Sequence, residues 1–106
     1  MGIGYAREKM GVAIRYLAAS PDSLDRRLYK AMALSMTHGV SDAQQGDYLP
    51  AELLERMNSL VERMTAKEAL GNEGTLQATL TTMSEEELVE CANEMLDINW
   101  EIRQIK

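Results

Sequence analysis

No disulfide can form within this chain, because Cys91 is its only cysteine. A single thiol excludes a disulfide framework and fits a reducing compartment. His38 is likewise the only histidine. A metal site built from His and Cys needs more ligands than one copy of this chain supplies. One histidine without a supporting motif gives no Ser-His-Asp arrangement. Carboxylates alone do not repair the deficit, because no Glu-x-x-His pair of the di-metal bundles occurs. Gly71-Asn72-Glu73-Gly74 has neither the spacing nor the lysine of a phosphate loop. The expectation is therefore no cofactor and no metal.

Long apolar runs are missing as well. No stretch approaches the roughly 18–20 residues of a membrane span. No basic-then-apolar leader opens the chain. Met1-Gly2 is followed at position six by Ala6, not Ser or Thr, which argues against myristoylation. A soluble cytoplasmic protein with no membrane partner is expected. Valine and isoleucine are few, and no run alternates with period two between turn residues, so no strand is expected. Phenylalanine is absent, whereas methionine occurs eight times. Methionines at helix-face spacing fill a core, and less often line a groove for partner helices.

The net charge of −6 opposes general nucleic-acid binding. Arg26, Arg27 and Lys30 cluster on the second expected helix, yet the loop after it is too long for a helix-turn-helix. The charge is unevenly distributed. Residues 1–30 carry a net of +3, residues 31–83 a net of −4 and residues 84–106 a net of −5. The bland reading is solvated, complementary faces. The sharper one is an acidic arc that docks a basic partner.

The 106 residues read as one domain. Four main amphipathic helices are expected, at about 4–19, 21–38, 50–65 and 85–105, with room for a short extra helix near 75–82. They form an all-α antiparallel bundle. Ile3, Ala6, Met10, Ala13, Ile14 and Leu17 make the first apolar face. Ser20-Pro21-Asp22 is a start signal: hydroxyl cap, proline, then an acid. Leu24, Leu28, Ala31, Met32 and Ser35 face inward on the second helix, with Leu34 widening the face. Gly39 reads as a left-handed stop, with Val40 packing back on Leu34. His38, just before it, suits the helix C-terminus. Ser41–Leu49 is polar and reads as a long loop. Leu53, Leu54, Met57, Leu60, Val61 and Met64 form the third helical face, with Gly71 a natural stop if the helix extends to Leu70.

The last segment, Ser84–Lys106, is the most legible. Ser84-Glu85-Glu86-Glu87 is a capping box, with Met83 and Leu88 at staple spacing. Leu88, Cys91, Met95, Ile98, Ile102 and Ile105 recur at alternating steps of three and four, a heptad seam. Val89, Ala92, Leu96 and Trp100 widen it to an apolar arc of roughly 200–220°. Glu87, Glu90, Glu94, Asp97 and Glu101 fill the opposite arc. That is more apolar surface than one small core uses.

The leading expectation is a non-catalytic interaction or regulatory module. It self-associates through the last helix, with Val89, Leu96, Trp100 and Arg103 at the interface. The partner is a second copy (a homodimer) or another protein. The alternative is a ligand-binding or enzymatic domain whose site is built from the 39–49 loop and His38, with Asp42, Asp47 and Tyr48 as polar groups. A cavity beside residues 38–48 would favour that alternative. A flat exposed patch on the last helix would favour the interaction module.

Overall fold

A computed structural model describes residues 2–68 and 74–105. The chain forms α1 (Ile3–Ala19), α2 (Leu24–Ala31), a π-helical turn (Met32–Met36), α3 (Thr37–Gly46), α4 (Ala51–Met64), α5 (Gly74–Thr82) and α6 (Glu85–Gln104). Among the described residues there is no strand, and the fold is all-α. No helix of the described residues is long and apolar enough to cross a membrane. α5 is the short extra helix expected near 75–82. The expected stop at Gly71 lies outside the described residues.

α1 packs on α2, the π turn, α3 and α6, while α6 also packs on α4. The core between them is rich in methionine: Met10, Met32, Met36, Met57, Met64 and Met95 have no exposed surface. Being fully enclosed, these methionines pack the bundle rather than line an open groove.

The second helix differs most from its sequence-based expectation. It does not stop at Gly39. The helical run continues to Gly46, and Asp47 adopts the left-handed conformation instead, at φ 50°. Gly39 is buried inside that run because α1 passes close by. A Cβ on Gly39 would stand 3.1 Å from the Lys9 Cβ and 3.9 Å from the Ala6 Cα. Ala31, Ser35, Gly39 and Ala43, four residues apart, are all buried. This ladder of small side chains lets the two backbones approach. At its centre the Ser35 hydroxyl donates to the Lys9 carbonyl at 2.6 Å.

The π turn keeps that ladder on one side. A spacing of four residues drifts about 40° per step around an ideal α-helix. A widened turn takes back part of the drift. The Thr37 N–H reaches back to the Met32 carbonyl, and the Thr37 hydroxyl donates to the same oxygen at 2.9 Å. As a result Leu34 points outward and is 53% exposed. It does not widen the inner face, nor does Val40 pack back on it.

Proline positions are also displaced. α2 begins at Leu24, after Ser23, not at Pro21. The Ser20 hydroxyl donates to the Asp22 carboxylate, which also accepts from Lys30, so neither group caps a helix. Pro50 stands just before α4 as its N-cap rather than within its first turn.

Three carboxylates are held in their charged form by local bonds. Lys30 and Ser20 lower the pKa of Asp22, the Tyr48 hydroxyl lowers that of Asp42, and the Ser84 backbone N–H lowers that of Glu87. Their ordinary values are 3.8, 3.8 and 4.5. A depressed folded value contributes stability that is present above the ordinary value and lost as pH falls through the depressed one. The thermal midpoint is therefore expected to fall as the pH is lowered from about 5 to about 2. A midpoint that holds or rises across that window contradicts these three assignments.

Candidate docking face on the last helix

α6 starts as its sequence dictates. The Ser84 hydroxyl accepts from the Glu87 N–H at 3.1 Å, and the Glu87 carboxylate accepts from the Ser84 N–H at 3.0 Å. Glu85, Glu86 and Glu87 sit in the positive first turn. From this fixed start the helix presents three distinct faces.

The first is the core stripe. Leu88, Cys91, Met95, Ile98 and Ile102 are buried, and Ile105 packs half-buried at the end. Burial raises the Cys91 thiol pKa, with the neighbouring Glu90 and Glu87 adding to it. The sulfur of Met83 lies 4.0 Å away. A protonated, enclosed thiol packs as a small hydrophobe and is a poor nucleophile.

The second face is acidic, and α4 neutralises much of it. Arg56 donates to Glu94 at 2.6 Å and pairs with Glu101 at 2.9 Å, while Arg63 donates to Glu90 at 2.6 Å. These pairs hold both guanidinium groups in their charged form. Three of the five carboxylates expected to form an acidic arc thus face this chain's own arginines. Among the described residues no cluster of His, Cys, Asp and Glu could hold a metal ion.

The third face is apolar and open. Val89 is 47%, Leu96 44% and Trp100 63% exposed. At about 100° per residue they fall on one stripe, roughly 140–150° from the centre of the core stripe. Sequence periodicity merged the two stripes into one wide arc; the structure separates them onto opposite sides of the helix. Beside Trp100 a groove of about 320 Å³ runs between the start of α4 and the end of α6, lined by Pro50, Leu53 and Ile105 among others. Arg103 lies at the far edge of the stripe, near Gly11 of α1. Neither the Arg103 side chain nor that of Glu86, at the opposite end, forms an ion pair or hydrogen bond among the described residues.

The polar groups of residues 38–49 are arranged otherwise than expected. Most of the expected loop is α3. His38 is exposed inside the helical run, not at its end, and its side chain forms no hydrogen bond or ion pair among the described residues. The Tyr48 hydroxyl donates to Asp42, and its ring lies against Gly46, where a Cβ would come within 2.5 Å of it. The Tyr48 hydroxyl pKa is raised by burial and by Asp42. Asp42 and Tyr48 are therefore brought together as a clasp around the end of α3, and Asp47 is exposed beyond it. Among the described residues, the grooves beside Val12, Asp25, Trp100 and Arg103 take no residue from 38–48.

The chain matches no protein-family model, no curated protein and no solved structure.

Proposed function

We propose that this chain is a small helical protein-interaction module and that the outer face of α6 is its docking surface. The supporting observation is the stripe of Val89, Leu96 and Trp100. Monomeric proteins expose single apolar side chains routinely, but three on one helical stripe, a tryptophan among them, match the composition of an interface. The spacing of the three fits a partner helix laid along α6. Non-catalytic action accords with an enclosed thiol and with a histidine whose side chain forms no hydrogen bond or ion pair among the described residues. A reducing compartment such as the cytoplasm suits the single cysteine.

The test is the double substitution Trp100→Ala with Leu96→Ser. Association, followed by sedimentation velocity, is expected to weaken by at least tenfold, since interface tryptophans commonly contribute 2 kcal/mol or more. Helical content by circular dichroism should be retained, because both side chains point away from the core. Association equal to that of the parent chain would contradict the assignment.

A further inference from the structure

We infer that the occupant of this face is a second copy of the same chain, with its α6 running antiparallel to the first. This deepens the docking reading above and rests on it. The outer stripe extends beyond its apolar residues as Glu86, Val89, Asn93, Leu96, Trp100 and Arg103. The steps alternate three and four, as in a two-helix seam. Its two ends carry opposite charges, and both are unmatched among the described residues. The other acids that α4 can reach, Glu90, Glu94 and Glu101, already have Arg63 or Arg56.

An antiparallel two-fold placed between Glu94 and Met95 makes this stripe complementary to itself. Glu86 meets Arg103 of the partner subunit, Val89 meets Trp100 of the partner subunit, and Asn93 meets Leu96 of the partner subunit. Symmetry repeats each pairing, giving two ion pairs and two Val–Trp contacts. A small side chain faces the largest one, and a polar side chain near the axis fixes the register at some cost in affinity. A parallel pair would instead set Glu86 on Glu86, Arg103 on Arg103 and Trp100 on Trp100 at equal heights. Like charges directly opposed disfavour that arrangement.

Two measurements test the orientation in the full chain. In the first, Glu86→Arg alone and Arg103→Glu alone are each expected to weaken the dimer about tenfold, and the two together to restore it to within about threefold. In the second, a spin label is attached to Gln104→Cys in a Cys91→Ala background. Gln104 is exposed. At about 1.5 Å rise per residue, the labels should lie roughly 30 Å apart in the antiparallel dimer and about 10 Å apart in a parallel one. Rescue together with the long distance supports the inference. A short distance, or absence of rescue, overturns the antiparallel register and leaves α6 as the docking face. A chain that stays monomeric at every concentration overturns the second copy as occupant. A dimer unaffected by Trp100→Ala with Leu96→Ser overturns the docking face itself.

Discussion

Gly39→Val is expected to destabilise the fold by about 3 kcal/mol, although it replaces a poor helix former inside a helix. Propensity alone predicts a gain of a few tenths of a kcal/mol for this exchange. The packing predicts the opposite. The first added carbon would already stand 3.1 Å from the Lys9 Cβ. Valine adds two more carbons on a stiff β-branch, and the crossing of α1 over α3 would have to open. Opening it also strains the Ser35 hydroxyl bond to the Lys9 carbonyl and uncovers Ala6 and Ala43, both fully buried. A loss of that size lowers the thermal midpoint by roughly 10–20 °C in a domain near this length. Gly39→Ala serves as the control. Its Cβ needs only a small shift of Lys9, and the helix gains up to about 1 kcal/mol, so it should stay within about 1 kcal/mol of the parent. A Gly39→Val chain that melts with the parent would show that the crossing is looser than described.

A second large effect separates the two apolar faces of α6. Ile98 has no exposed surface and Leu96 is 44% exposed, although only one residue stands between them. Ile98→Ala removes three buried carbons from the core where α6 meets its neighbours, at an expected cost of about 3 kcal/mol. Leu96→Ala removes as many carbons but opens no cavity, so in dilute solution it should cost under about 0.5 kcal/mol. Association should order them the other way: Leu96→Ala weakens it. Urea unfolding at low protein concentration, where assembly contributes nothing, measures the first contrast. Equal losses for the two variants would mean that the Leu96 face is packed within the monomer.

What the sequence conveyed depended on whether the deciding contact was local. The start of α6 is written within four residues, Ser84 to Glu87, and both reciprocal bonds form. Its core stripe follows from periodicity, as does that of α4. The stop at Gly39 failed because the reason for that glycine lies far away in sequence. A glycine followed by polar residues reads as a helix end, yet the demand here is for space beside Lys9 and Ala6. The same applies to Ser41–Gly46, where polar side chains face solvent from a helix and leave no local sign of it. The π turn has no signature of its own. Only the four-residue spacing of Ala31, Ser35, Gly39 and Ala43 hints at it, once the crossing is known.

The proposed docking face was legible in part. Val89, Leu96 and Trp100 stood out as surplus apolar surface, and the structure leaves them exposed. The division of the charges was not legible, because it depends on which helix lies beside α6. With α4 in place, Arg56 and Arg63 take up Glu90, Glu94 and Glu101, and the acidic arc loses much of its capacity for a basic partner. Glu86 and Arg103 then remain at the two ends of the stripe.

Trp100 provides the most direct test, since it is the only tryptophan and lies within the proposed contact. Its fluorescence emission should be recorded over a dilution series, together with molar mass by light scattering at the same concentrations. The account predicts a blue-shifted emission and a doubled mass at high concentration, both relaxing on dilution to a red-shifted monomer. A dimer whose tryptophan emits as a solvent-exposed ring at every concentration would contradict it, because association would then proceed through another surface.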